Sequence, residues 1–540
     1  MFDRIFKPGA DRALLALLLL AGLLMLYRLD GTAHKGRYDD VDRALVARTM
    51  VESGDWVVPR LGIHPLFTKP PLMYWITAGL GKITGRRDEL PGDLTSVLSM
   101  LIVLACTWWI ARSMFGKPVA LRAGLILSTM YFFVDMSRHT LMDTVLTATM
   151  MICAGALFQL VADGQRSRSV WWVAAGVAFA AVIMTKGPVG LPVLALIAVP
   201  LLWGQRGIRL RWWQGVGLLL LMLALILPWF ILVLHRMPEA ADVWRAELFG
   251  RMGENELTGT WPTHPAWFYI PQLVGTMPWL PFLIPALGFA WSRRKQRTWL
   301  VLLSWFVGGF LFLSLVSSSK RTFYLLPLYP AMAIMIAAAW PTWFAPGTVV
   351  KRGIRIASAL VVGMVPVGGL IFLGLPLRYP GVPRGPFWVA GILAVAIGVW
   401  GVRSWRRSRG EAVIPPVVIG VACLFLAWFG HLVPRENDYI SGRPFLSEAA
   451  RMLGPHKVIM VELRVPLTLF YLGSPPYLNE PRDLVRTRLA EDPLSKVVAK
   501  PEIAAQLDFL TPVMIRTLKS PWGETRQMGL YQLQDPVDRD

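Results

Sequence analysis

Residues 14–50 read LLALLLLAGLLMLYRLDGTAHKGRYDDVDRALVARTM. A run that is almost pure leucine gives way at Tyr27, and Asp39, Asp40 and Asp42 then crowd together. An apolar stretch of this kind suits the ~30 Å of hydrocarbon in a bilayer, so the three carboxylates fall where the chain meets the headgroups. The pattern recurs along most of the 540 residues, as apolar runs of roughly 17–25 residues closed by charged turns. The chain is 55% hydrophobic and only 16% charged, against about a quarter charged in soluble domains. When long apolar runs are the repeating unit, only helices satisfy every backbone N–H and C=O inside lipid. The fold class is a polytopic α-helical membrane protein.

Thirteen helices are expected, at about 13–29, 94–112, 118–134, 141–162, 170–186, 187–203, 212–234, 270–291, 298–316, 323–344, 355–375, 386–402 and 412–431. The net charge of +21 invites a nucleic-acid partner, but its distribution argues against one. Alternate loops, including DGQRSRS, GQRGIRLR, SRRKQR and RSWRRSRGE, hold 22 Lys/Arg against four acids. The remainder, with 33 basic and 30 acidic residues, is nearly neutral. Short loops rich in Lys and Arg mark the cytoplasmic face. The excess is a topology signal, and no nucleic acid is implied. An odd number of spans puts the N-terminus inside and the C-terminus outside, in a bacterial inner membrane. The first helix lacks a small-residue cleavage site after its apolar core and reads as a retained signal anchor. Cys106, Cys153 and Cys423 lie within apolar spans and read as packing residues. No His/Cys metal spacing, P-loop, dinucleotide fingerprint or internal repeat is present, so no cofactor is evident; whether a metal is required is left open.

Residues 1–433 are expected to form the transmembrane unit, with two longer outer loops at 29–91 and 235–269. In the first, PLMYWITAGLGKITG places Leu72, Trp75, Ile76, Leu80 and Ile83 on one helical stripe, after a start at Pro70 and Pro71. This short, one-sided helix should lie in the interface plane. From 434 to 540 the composition changes: KVIMVEL, SKVVAK, PVMIRTL and GLYQLQ are β-like and alternate with helix-like pieces. That order suggests a small periplasmic α/β domain.

Ionisable residues at span ends are expensive and commonly functional. On this topology Asp39, Asp40, Asp42, Arg43, Lys69, Asp135, Arg138, His139, Asp143, Lys186, Lys320 and Arg321 converge at the outer mouth of the bundle. Bland readings stand beside each. Asp39 could pair with Arg43 four residues on, and either Asp39 or Asp40 could cap a helix; alternatively a carboxylate there serves as a base in a partly dry cleft. Asp143 could pair with Arg138 or with a facing lysine. Lys69 and Lys186 precede proline-containing turns, TKPPL and TKGPVGL, where lysine commonly snorkels. Several cations at one depth would also hold a phosphate, Arg as a planar fork and Lys as a point charge. His264 and Tyr324 could add donors.

The stretch YDDVDRALVARTMVESGDWVVPRLGIHPLFTKPPLMYW resembles the first outer loop of bacterial GT-C glycosyltransferases related to the protein O-mannosyltransferases, in particular the lipid A 4-amino-4-deoxy-L-arabinose transferases. The similarity continues through SRHTLMDT, MTKGPVG, HPAWFYIPQLVGTMPW and SSSKRTFYLLPLYP. The resemblance implies a GT-C fold and a sugar donor carried on undecaprenyl phosphate, used on the periplasmic side. It makes Asp39 the loop carboxylate, Asp143 the second acidic residue, Lys69 the lysine at the lipid phosphate and Tyr324 the tyrosine of the later motif. Asp40, beside Asp39, joins them as a candidate acid. Where the aminoarabinose transferases usually read DExRY this chain has DDVDR, with Asp42 at the arginine position and Arg43 one later. The departure leaves the sugar and the acceptor open: a lipid A phosphate, or a protein or glycan hydroxyl. A lipid flippase or transporter is the rival from another class. Such proteins commonly carry matching halves with broken helices, and none are legible here.

Overall fold

The computed structural model describes residues 12–29, 40–62, 64–162, 168–205, 211–249, 264–316, 320–345, 349–408, 411–453, 457–463, 465–473 and 477–534. Asp39, the centre of the first-loop reading, lies outside the described residues.

The molecule is mostly helical, as the apolar runs require. Among the described residues nine helices are long and apolar enough to cross a membrane, or eleven if each of two bent pairs is one span. The leucine-rich first helix, Arg12–Leu26, has 15 residues and spans only about 22 Å. The runs expected at 170–186 and 187–203 form one apolar stretch, Ser169–Leu202. Within it, helices Arg168–Lys186 and Leu191–Leu202 meet at a 3-10 turn, Gly187–Gly190. Gly187 takes φ +69° there, a backbone state that glycine reaches without steric cost.

Side chains beside the basic loops gather at one end of the bundle. Trp109 packs edge-on against Trp171 at 5.5 Å, and Phe115 tilts onto Trp299 at 5.3 Å. Arg297 donates to the carbonyl of Trp203.

Two broken helices shape the opposite end. Lys117–Ser128 and Tyr131–Ser137 meet at 66°, and Ala266–Thr276 and Leu280–Ser292 at 117°. A break frees backbone groups that a neighbour must satisfy in an apolar setting, and here the breaks satisfy one another. The Tyr131 amide donates to the Met277 carbonyl at 3.0 Å, and the Trp279 indole to the Thr129 hydroxyl at 2.9 Å. Gly275 allows the approach: a Cβ on it would stand 1.8 Å from the Phe132 ring. The interlock fixes two segments that carry or adjoin candidate site residues, Tyr131–Ser137 with the turn after it, and Ala266–Thr276.

The first outer loop lies across this end. Helix Asp40–Ser53 is followed by a two-residue antiparallel pair, β1 (Arg60–Leu61) with β2 (His64–Pro65), and by helix Leu72–Thr84. On the latter, Ile76 and Ile83 of the expected stripe are exposed, whereas Met73, Tyr74, Thr77, Ala78 and Gly81 face inward. Helix Asp40–Ser53 has two buried faces. Val46, Ala47 and Met50 pack with Met73, Tyr74, Met142 and Val145. Val41, Ala44 and Leu45 share a second cluster with Phe445, Leu446, Leu469 and Phe470 of the tail.

The tail carries a five-stranded sheet in the order β4-β3-β5-β7-β6. Its strands are β3 (Val458–Met460), β4 (Tyr477–Asn479), β5 (Lys496–Ala499), β6 (Leu510–Lys519) and β7 (Thr525–Leu533). The β3 pairings with β4 and β5 are parallel, and the two pairings of β7 antiparallel. Arg48 ties the tail to the first loop: its Nη1 donates to the Phe470 carbonyl at 2.9 Å and the guanidinium lies 4.8 Å over the Phe470 ring, on the tail helix Val465–Leu472.

Candidate active site

Asp143 opens helix Met142–Ala162 and Lys186 closes helix Arg168–Lys186. A carboxylate suits a helix N-terminus and a cation a C-terminus, because the terminal N–H and C=O groups carry opposite partial charge. The two side chains meet: Lys186 Nζ stands 2.7 Å from Asp143 Oδ1 and 2.8 Å from Oδ2, with both residues buried. The facing lysine, not Arg138, is thus the partner of Asp143. The Tyr324 ring lies 4.4 Å from the ammonium and the Phe323 ring 5.8 Å, within the range in which an aromatic face attracts a cation. Both rings sit on the 3-10 segment Thr322–Leu328, which starts just after Arg321. Thr322 ties that segment to the bent helix by donating to Gln272 Oε1 at 3.0 Å.

A second cluster forms around His139. Its Nδ1 is 2.7 Å from Asp40 Oδ2, and its Nε2 is 3.8 Å from Asp135 Oδ1. Asp40 and His139 are fully buried. Burial alone would lower the imidazole pKa, but the charge and hydrogen bond of Asp40, with the charge of Asp135, push it up to about 9. Arg43, from the same helix as Asp40, donates to the Thr140 carbonyl at 3.2 Å, and Thr140 donates to Asp93 at 2.9 Å. Gly92 lets Thr140 approach, since a Cβ there would meet its side chain at 2.5 Å. His139 and Asp143 are four residues apart, so the clusters stand within about 14 Å along the chain.

The other expected residues fall as follows. Arg138 is buried, and its guanidinium donates to the carbonyls of Leu24 (3.1 Å), Met25 (2.6 Å), Tyr27 (2.9 Å) and Arg28 (3.3 Å). It caps the first helix. Lys320 donates to the His264 carbonyl at 2.8 Å, and the His264 ring stacks on Phe268 at 4.3 Å. Lys69 is half-buried in the turn between β2 and helix Leu72–Thr84. Two residues before it, Phe67 packs with Met184, two residues before Lys186. The loop bearing Lys69 therefore rests on the helix end bearing Lys186.

Three buried residues of this region were not singled out as site residues from sequence. His139 and Asp135 were legible only as charges near a span end. Tyr269 sits among other aromatics in HPAWFY, with nothing local to distinguish it.

The family model described as dolichyl-phosphate-mannose-protein mannosyltransferase matches residues 68–232. Over that stretch the chain is similar to the glycosyltransferases of the protein O-mannosyltransferase-like group. Among its relatives is the undecaprenyl phosphate-alpha-4-amino-4-deoxy-L-arabinose arabinosyl transferase 2 of Proteus mirabilis, 29% identical over 68% of this chain and 67% of that protein. The enzyme of that name from Pseudomonas aeruginosa is 29% identical over 74% of this chain and 73% of its own length. The crystal structure of ArnT from Cupriavidus metallidurans bound to undecaprenyl phosphate shares the fold. It superposes with a TM-score of 0.72 at 22% identity, covering 98% of this chain and 100% of that one.

Proposed function

We propose that this protein transfers a sugar from a polyprenyl (undecaprenyl) phosphate donor to an acceptor at the outer face of the membrane, with aminoarabinose and a lipid A phosphate as the leading pair. The observation that carries the reading is the buried Asp143–Lys186 pair under the Tyr324 ring, at the end of the bundle where the first loop, Lys320 and Arg321 also lie. The names of the relatives supply the donor and the sugar.

In the proposed reaction the bond from the anomeric carbon to the phosphate oxygen breaks, and a bond from that carbon to an acceptor oxygen forms. Polyprenyl phosphate leaves with the electron pair. Lys69, assisted by Lys320 and Arg321, stabilises the negative charge growing on it. Lys186 is neutralised by Asp143, so the pair sets a fixed local field and orients the sugar. If the acceptor is a hydroxyl, its proton passes to a first-loop carboxylate, with Asp39 the candidate. A phosphate acceptor is already ionised near neutral pH, and the carboxylate then orients the sugar or stabilises an oxocarbenium-like centre.

The proposed setting is the bacterial inner membrane, with the N-terminus cytoplasmic and the tail sheet periplasmic as a separate small domain. Thirteen crossings follow if the two bent pairs and the short first helix each cross once and the Ser169–Leu202 run turns back at Gly187. The test is a purified full-length chain given undecaprenyl-phosphate-linked aminoarabinose and lipid A, with products read by mass spectrometry. A new glycosidic linkage on lipid A is expected. Movement of the lipid-linked sugar between leaflets with no new linkage would overturn the assignment in favour of a flippase.

A further inference from the structure

The reaction above leaves the buried hydroxyl of Tyr269 unused. The residue is fully buried, and among the described residues no acceptor takes the proton of its hydroxyl. A buried donor left unmade costs about 1–3 kcal/mol, and buried polar groups in folded proteins are otherwise satisfied. The ring is held edge-on by Phe268 at 5.2 Å and by Phe310 at 6.5 Å, on the short helix Tyr269–Gln272 of the interlocked segment. Its hydroxyl lies within electrostatic reach of Tyr324 and Asp143, and the backbone N–H of Arg321 faces it. That amide is itself a donor and cannot take the phenol proton. Both Asp143 oxygens are engaged by Lys186. What the position lacks is an acceptor oxygen.

We propose that Tyr269 is a donor-substrate binding residue whose hydroxyl donates to a phosphoryl oxygen of the polyprenyl phosphate. The inference rests on the glycosyltransferase reading. Phosphoryl oxygens are the charged, and so the strongest, acceptors that such a substrate carries. Arg321 and Lys320, at the head of the same segment as Tyr324, supply the positive charge that a phosphate needs. A neutral phenol in this place bonds more strongly as charge accumulates on the departing phosphate, which makes the contact useful to turnover as well as to binding.

Tyr269→Phe removes the hydroxyl alone. For the full-length chain in detergent, the Kd for undecaprenyl phosphate should rise about tenfold, and kcat/KM for the lipid-linked sugar should fall by a similar factor. The melting temperature of the ligand-free protein should stay level or rise, because the variant loses an unmade donor. An unchanged Kd and kcat/KM would overturn the proposal. So would a variant that melts lower or fails to fold, since the hydroxyl would then belong to the fold. Undecaprenol, which lacks the phosphate, separates the two levels of the argument. Wild-type protein that binds undecaprenol as well as undecaprenyl phosphate defeats the donor reading itself. Phosphate-selective binding shared equally by wild type and Tyr269→Phe defeats this inference alone.

Discussion

His139 Nδ1 stands 2.7 Å from Asp40 Oδ2, joining side chains 99 residues apart in the sequence. With Asp135 Oδ1 at 3.8 Å from its other nitrogen, the ring bridges the first-loop helix and the inner arm of a broken span. A buried charge persists only when paired, and here one imidazolium faces two carboxylates. Asp40 is thereby committed to holding the start of its helix in place. This is a different task from meeting the acceptor, which under the proposed reaction falls to its neighbour Asp39.

The bridge has a pH signature. The folded pKa of His139 is raised from 6.5 to about 9 by Asp40 and Asp135 against the opposing effect of burial. A raised pKa means the folded state binds the proton more tightly. The stabilisation is therefore complete below about pH 6.5 and is lost as pH rises through about 9, on the order of 3 kcal/mol. Melting curves between about pH 6.5 and about pH 9 should show this loss in the wild type. His139→Asn keeps a hydrogen bond toward Asp40 but cannot titrate, so it should show a flatter profile. Arg138 and Asp93, the nearby charges, are common to both proteins and cancel in the comparison. Parallel profiles would show that His139 stays neutral.

Arg138 separates a positioning role from a phosphate-binding one. Its guanidinium is occupied by four carbonyls at the C-terminal end of the first helix, so Arg138→Met should destabilise the protein by about 3 kcal/mol. Arg138→Lys should recover only part, because a point charge cannot serve carbonyls spread around a planar fork. The KM for the lipid-linked donor should stay within about twofold in whichever variant folds, given that each tenfold in affinity corresponds to about 1.4 kcal/mol of contact. A KM that rises with melting unchanged would return Arg138 to the phosphate.

Much of this site was legible because charge in an apolar chain is conspicuous. Asp143 and Lys186 stood out as ionisable groups at span ends, and the structure brings them together. What period and composition could not reveal was partnership. The sequence offered Asp143 both Arg138 and a lysine, and the choice rests on tertiary contacts: Lys186 ends the helix that follows the one Asp143 opens, and Arg138 is taken by carbonyls more than a hundred residues away in the chain. The apolar runs were legible for the same reason, and so was the break after Lys186. The bends within two of the expected spans were not, because they depend on contacts between the two broken helices. In the tail, β3, β5, β6 and β7 were visible as β-like runs, whereas β4 is three residues long and PEIAAQLDFL yields only the helix Pro501–Ala504. Short elements hold too few residues to show a period.

The tail's grip on the first loop can be loosened without touching the charges. Leu45 is fully buried in the cluster shared with Phe445, Leu446 and Phe470. Leu45→Ala should cost about 2–5 kcal/mol, the usual range for a core leucine. Because the loss falls on the seam between loop and tail, it should appear first as faster proteolysis of the segment after Ser441, with the helical bundle intact. Turnover should fall alongside, since the same helix begins at Asp40. Uniform proteolysis of loop, tail and bundle would mean that the seam opens only with global unfolding.

The Asp143–Lys186 pair lends itself to a double-mutant cycle, because its two partners carry opposite charges and each compensates the other. Removing either one strands the other as a buried, unpaired charge, and Asp143→Leu or Lys186→Met alone should each destabilise the chain by about 3–5 kcal/mol. Removing both leaves no stranded charge. Replacement of a buried ion pair by apolar groups of similar volume is often neutral or stabilising, so Asp143→Leu with Lys186→Met should melt close to the wild type. Stability would then be restored while sugar transfer is not, because the proposed field at the sugar disappears with the pair. If the double variant recovers both melting temperature and turnover, the pair is a structural staple and the chemistry must be sought elsewhere. If it recovers neither, the cation–π contact of Lys186 with Tyr324 at 4.4 Å carries more of the fold than the pair itself. Only recovered stability with lost transfer places Asp143 and Lys186 in the reaction.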